Sequence, residues 1–145
     1  MEPATRHAGY HRVNPFLVVD DAEGLLSYLT AVFAATEVER ILRPDGAIGH
    51  AEMRIGDTVI MISHSTPAFQ ARPSYHYAYV ADVDAAYQRA LAAGSTSISE
   101  PENKFYGNRE CGVRDPFDNV WWIATLVEHV PAEQLQSRFD ASQSS

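Results

Sequence analysis

A single cysteine, Cys111, stands in 145 residues, so no disulfide can close within the chain, and a reducing, cytoplasmic setting is the expectation. Positive charge is scarce as well: 11 Lys and Arg face 19 Asp and Glu, a formal charge of −8. Proteins that grip a phosphate backbone need a cationic face, so nucleic acid is excluded as a partner. No apolar run reaches membrane-spanning length, and the opening MEPATRHAGY has no hydrophobic stretch of signal-peptide type. Neither a membrane nor an export route is therefore expected. Also missing are a glycine-rich phosphate loop, the nucleophile elbow of serine hydrolases and any paired-cysteine motif.

What is present is ordinary globular composition, 46% apolar and 21% charged. The length suits one domain, able to bury roughly two thirds of its unfolded surface. The most informative pattern is a repeat. FLVVDDAEGLLSYLTAVFAA begins at Phe16 and YAYVADVDAAYQRALAAG at Tyr77. Each reads as a short apolar strand, an aspartate and a helix. Val83, Ala86, Tyr87, Ala90 and Leu91 fall on one helical face, as do Ala22, Leu25, Leu26, Leu29, Val32 and Phe33, and such stripes pack on a sheet. Asp21 and Asp82 are placed to cap the two helices, and Gly94 to end the second.

Strand signals follow each helix. GHAEMRIGDTVIMIS reads as two alternating strands around a tight turn at Gly56-Asp57. STSIS, ECGVR and NVWWIATL supply three in the second half, the last two joined by DPFDN, where Asp118 or Asn119 tolerates a left-handed conformation. The expected fold is α+β: two βαβββ modules, about 12–63 and 76–128, forming a curled, barrel-like mixed sheet with helices on its outer face. A linker (64–75) joins them, and a short helix opened by Pro131 leads into a polar tail (131–145). Two such modules side by side enclose a pocket. Strand alternation puts Trp121 and Trp122 on opposite faces; Trp121 is expected in the core, and Tyr77 and Tyr79 under a helix.

The paired βαβββ arrangement, with GHAEMRIGDTVIMIS, YVADVDAAYQRALAAG and FYGNRECGVRDPFDNVWWIAT, resembles the vicinal oxygen chelate superfamily of glyoxalases, bleomycin-resistance proteins and dioxygenases, and more narrowly its PhnB-like branch. The resemblance covers roughly residues 12–128. Metal-using members hold a divalent cation with one His, Glu or Gln from each of four strands. By resemblance those positions fall on Asn14, Glu52, His76 and, where a glutamate is usual, Trp122. Indole is not a metal ligand, since its ring nitrogen only donates. His50 lies two residues before Glu52, on the same strand face, and is the candidate to complete a metal set with Glu52 and His76.

The implied function is a metal-independent small-molecule binding protein with no cofactor, taking an aromatic or amphipathic compound. Trp122 would be its stacking wall, Glu52 and His76 the polar or catalytic pair, and Asn14, His50 and Arg54 further contacts. Phe69, Phe105 and Tyr106 lie in candidate rim segments. Two alternatives stand beside it: a metal-dependent lyase, isomerase or dioxygenase using Glu52 and His76, and a dimeric scaffold with a vestigial pocket. Members of the superfamily are commonly homodimers, so a homodimer is the expected state.

Overall fold

A computed structural model describes residues 3–143. The chain divides into two compact units, Met1–Ser74 and Tyr75–Ser145. The first contains β1 (Phe16–Val19), α1 (Ala22–Phe33), β2 (Thr36–Leu42), β3 (Ile48–Ile55) and β4 (Thr58–His64). Its sheet runs β1-β4-β3-β2, with β1 parallel to β4 and the other pairs antiparallel. The second unit repeats the plan with β5 (Tyr75–Tyr79), α2 (Val83–Ala92), β6 (Thr96–Asn103), β7 (Asn108–Arg114) and β8 (Val120–Leu126), ordered β5-β8-β7-β6, and adds α3 (Ala132–Gln143). The two βαβββ modules are as expected. Each makes its own four-stranded mixed sheet, and neither sheet closes into a barrel.

Local chemistry accounts for the elements. The Asp21 carboxylate accepts the Gly24 amide at 2.8 Å, and Asp82 accepts that of Ala85 at 3.1 Å, satisfying donors that a helix start leaves unpaired. Leu25, Leu29 and Val32 of α1 are fully buried, as are Leu17, Val19, Ala51, Met53 and Ile62 of its sheet. Burying each large aliphatic stabilises the fold by about 1.5–3 kcal/mol before conformational entropy is set against it. In the second unit Val83, Ala86 and Ala90 of α2 do the same with Cys111, Val113, Trp121 and Ile123.

Two elements exceed the sequence reading. β2 follows α1 with every residue exposed, so no apolar alternation marks it. α3 runs twelve residues with none buried. It is tied by Arg138, whose guanidinium donates to Glu128 at 2.7 Å and to the Phe105 carbonyl at 3.1 Å, and by Phe139 against Phe105 with ring centroids 5.7 Å apart.

Register fixes which residues share a face. Phe16 and Glu52 both pair with Met61; Tyr77 and Gly112 both pair with Trp122. The face of unit 2 away from its helix therefore carries Tyr77, Tyr79, Asn108, Glu110, Gly112 and Trp122, while His76 lies with Trp121 on the helix side. This reverses the expected placing of the β5 tyrosines. Their hydroxyls need polar partners, which the apolar helix side lacks and Asn108 and Glu110 supply.

The β7–β8 turn is organised by Asp115, only 3% exposed. Its carboxylate accepts from the amides of Phe117 (2.8 Å) and Asn119 (2.9 Å), from the Asn119 side chain (3.2 Å) and from the Trp121 indole (2.8 Å). Asp118 takes the left-handed position, φ 71°. Asp115→Ala is expected to lower unfolding free energy by about 3 kcal/mol in urea denaturation, because several buried donors lose their acceptor at once. Asp118→Gly should stay within about 0.5 kcal/mol of the parent, since glycine adopts that conformation without strain.

Candidate functional site

On the helix-free face of unit 1, β3 presents His50, Glu52 and Arg54. Glu52 is buried, 8% exposed, and His50 Nε2 meets its Oε1 at 3.0 Å. The segment before β1 lies over this face and brings in Tyr10. Burial first, then the neighbouring Glu52, push the Tyr10 phenol up to about 12. Its buried hydroxyl is turned to the carboxylate without completing a hydrogen bond of ordinary geometry. Burial alone would raise the Glu52 carboxyl; Tyr10, His50 and His7 outweigh it and hold the group below its ordinary value. Arg54 lies against Gly9, with Nη2 2.8 Å from where a side chain there would begin. Asn14 closes the turn before β1, accepting from the His11 amide at 2.9 Å and donating to its carbonyl at 2.8 Å. That is a structural use of the amide. Beside this group Phe16, Val18, Ser63, His64, Arg43 and Phe69 line a mostly apolar recess of about 400 Å³.

Unit 2 presents a different face. Trp122 lies flat over Gly112, its cross-strand partner: a Cβ at residue 112 would fall 2.4 Å from the indole ring. Only glycine admits that packing. At the next position on the same face is Glu110, 5% exposed. The hydroxyls of Tyr77 and Tyr106 both donate to its Oε1 at 2.6 Å. Asn108 donates in turn to the Tyr77 hydroxyl at 2.7 Å and to that of Tyr79 at 3.0 Å. Burial, then Glu110, push the Tyr77 phenol up to about 12 and raise that of Tyr106 as well. Tyr106 is held there by the turn at Gly107, φ 99°, where a Cβ would strike the Glu128 carbonyl. Phe105, beside it, packs edge-on to Tyr106 with centroids 5.0 Å apart.

The expected residues thus separate. Glu52, His50 and Tyr10 come together, while Trp122 and Tyr106 share the other face with Glu110 and Asn108, not singled out from the sequence, and with Tyr77 and Tyr79, expected under the helix. Glu110 was hidden because one carboxylate in ECGVR signals nothing until register sets it beside two phenols. His76 is stacked on Trp121, centroids 4.5 Å apart at 26°, and burial lowers its pKa against the opposing pull of Asp115. The buried Cys111 thiol is pushed up to about 11, chiefly by burial, which makes it inert.

A resident divalent metal of the kind the resemblance implies needs three or four N, S or carboxylate donors. Unit 1 offers His50 and Glu52, already bonded to each other. The position that the resemblance matches to the usual glutamate carries an indole, and His76 is half-buried and stacked on Trp121, on the helix side of its sheet. Among the described residues no three His, Cys, Asp or Glu side chains gather as ligands. The residue set does not fit the metal.

Fold and face together define a paired-βαβββ protein with an aromatic, carboxylate-bearing sheet surface. The sequence model of the Glyoxalase/Bleomycin resistance protein/Dioxygenase superfamily matches residues 9–123, and the chain belongs to that family. It is 32% identical to an uncharacterized protein of Mycobacterium bovis over 86% of this chain and 90% of that one. An uncharacterized protein of Mycobacterium tuberculosis is equally similar, with 86% and 80% covered. Among solved structures it shares its fold with TioX from Micromonospora sp. ML1 (TM-score 0.65, 23% identity, 79% of this chain and 99% of that one). The PhnB protein from Bacillus cereus gives 0.66 at 15% identity, covering 79% and 99%. The fosfomycin resistance protein FosX from Listeria monocytogenes gives 0.65 at 15%, covering 79% and 91%.

The pKa shifts define two separate pH windows. His76 is ordinarily half-protonated at 6.5 and is depressed in the fold. The unfolded chain therefore binds the extra proton first, and stability is lost as pH falls from about 6.5 toward the lower folded value. Glu52 contributes stability above its ordinary 4.5 that is lost only at lower pH. His76→Phe should flatten the unfolding free energy between pH 7 and 5, whereas Glu52→Gln should lower it throughout the range above about 4.5 and flatten its fall only on the more acid limb. Urea titrations across pH check both, and an NMR pKa for His76 at or above 6.5 would refute the first.

Proposed function

We propose that this chain is a metal-independent binding protein for an aromatic or amphipathic small molecule, of the PhnB-like kind, acting in the cytoplasm as a homodimer. The observation that carries the reading is Trp122 laid over Gly112. A ring fixed flat by a glycine beneath it offers its other face as a stacking surface, and it stands where metal-using relatives keep a glutamate. The exposed rings of Tyr77 and Tyr79 continue that surface. The lone, buried Cys111 is in keeping with a reducing compartment.

Protein purified without chelator should hold far less than one transition metal per chain; about one Zn, Ni, Fe or Mn by elemental analysis would instead support a metal-dependent enzyme built on His50 and Glu52. In a screen of flat aromatic compounds followed by tryptophan fluorescence, Trp122→Ala should weaken binding by about 1–3 kcal/mol, roughly ten- to a hundredfold, by analogy with aromatic stacking elsewhere. Trp121→Phe, on the buried side, should leave affinity unchanged. Equal binding by Trp122→Ala and the parent would show that the tryptophan only packs.

A further inference from the structure

We propose that the helix-free face of unit 2 recognises an organic cation: an ammonium group on an apolar or aromatic body, with Glu110 as counter-ion and the rings of Tyr77, Tyr79, Tyr106 and Trp122 around it. This rests on the reading of Trp122 as a stacking surface and names the ligand chemistry that goes with it.

Three observations converge. First, Glu110 is a nearly buried carboxylate whose hydrogen bonds are lopsided. Both phenols donate to Oε1 at 2.6 Å, while Oε2 is not sealed from solvent and stays open to an incoming group. Second, among the described residues no Lys, Arg or His forms an ion pair with it. The basic residues nearest in sequence are committed elsewhere: Arg109 forks onto Asp84 at 2.9 and 3.0 Å, and Lys104 pairs with Glu102. Tyr77 and Tyr106 are neutral donors at physiological pH, as their raised pKa values require, so the cluster carries one net negative charge. Third, the groups beside the carboxylate are aromatic. Tyr77 pairs in register with Trp122 and stands 5.5 Å from Tyr79, centroid to centroid. Ring faces attract cations, and most strongly where water is excluded. An anionic ligand would meet the Glu110 charge, and the overall charge of −8 adds a long-range preference of the same sign.

The test uses one ring with three headgroups. Benzyltrimethylammonium, benzyl alcohol and phenylacetate are titrated into the full chain by calorimetry and by NMR of the aromatic and indole resonances. The cation is expected to bind at least roughly tenfold more tightly than the alcohol, with phenylacetate weakest, and to shift Trp122 and Tyr77. Its advantage should shrink with added salt and vanish in Glu110→Gln. If Glu110→Gln fails to fold, the ratio of cation to alcohol in the parent protein and its salt dependence decide the matter alone. Three probes binding alike, all weakened by Trp122→Ala, would overturn the cation and leave the stacking surface standing. Cation binding that is indifferent to Trp122→Ala, or that shifts residues elsewhere, overturns the site. No binding of any probe up to about 10 mM overturns both readings.

Discussion

Asp115 collects N–H groups from Phe117, Asn119 and Trp121 on one buried carboxylate, and that hub sets much of unit 2. It fixes the turn between β7 and β8, and the turn fixes their register. Holding the Trp121 indole on the helix side obliges Trp122, its neighbour on the strand, to take the other. From there the consequences run across the sheet: Trp122 settles on Gly112, Tyr77 comes opposite Trp122, the Tyr77 phenol reaches Glu110 and the Tyr79 hydroxyl meets Asn108. A one-residue slip at the hairpin would exchange every member of the aromatic face for a member of the core.

The two units use one plan differently. By register Met61 is the counterpart of Trp122, Glu52 of Gly112 and His50 of Glu110. The buried carboxylate of unit 1 lies at the position where unit 2 has glycine, and that of unit 2 lies two residues earlier on the equivalent strand. Each has acquired the partners its position permits. Glu52 has an imidazole and a phenol delivered by the segment before β1; Glu110 has two phenols and no imidazole. Neither arrangement gathers metal donors, although both keep a carboxylate near the middle of a helix-free face.

Much of the fold was legible because the repeat, the capping aspartates and the helical stripes are local signals that tertiary packing reinforced. β2 was not, because a fully exposed edge strand needs no apolar alternation. The site was legible only in part. The opposite facing of Trp121 and Trp122 followed from the parity of adjacent strand residues, whereas Glu52, taken from the family pattern, is by register the counterpart of Gly112 and not of Trp122. The parity of β5 could not be assigned: YHYAY is aromatic at alternate positions and reads equally well either way. Only register against β8, and the need of phenol hydroxyls for polar partners, chose the face. His76, matched by position, went to the helix side and stacked on Trp121 as a result.

The strands that end each sheet opposite β1 and β5 are unlike those between. β2 carries Glu37, Glu39 and Arg40 along its length, and β6 carries Glu100, Pro101 and Glu102. Charge in a row and a proline without an N–H are poor templates for a further strand. Sheet extension at these margins, the route by which half-paired β proteins grow into fibrils, is thereby discouraged.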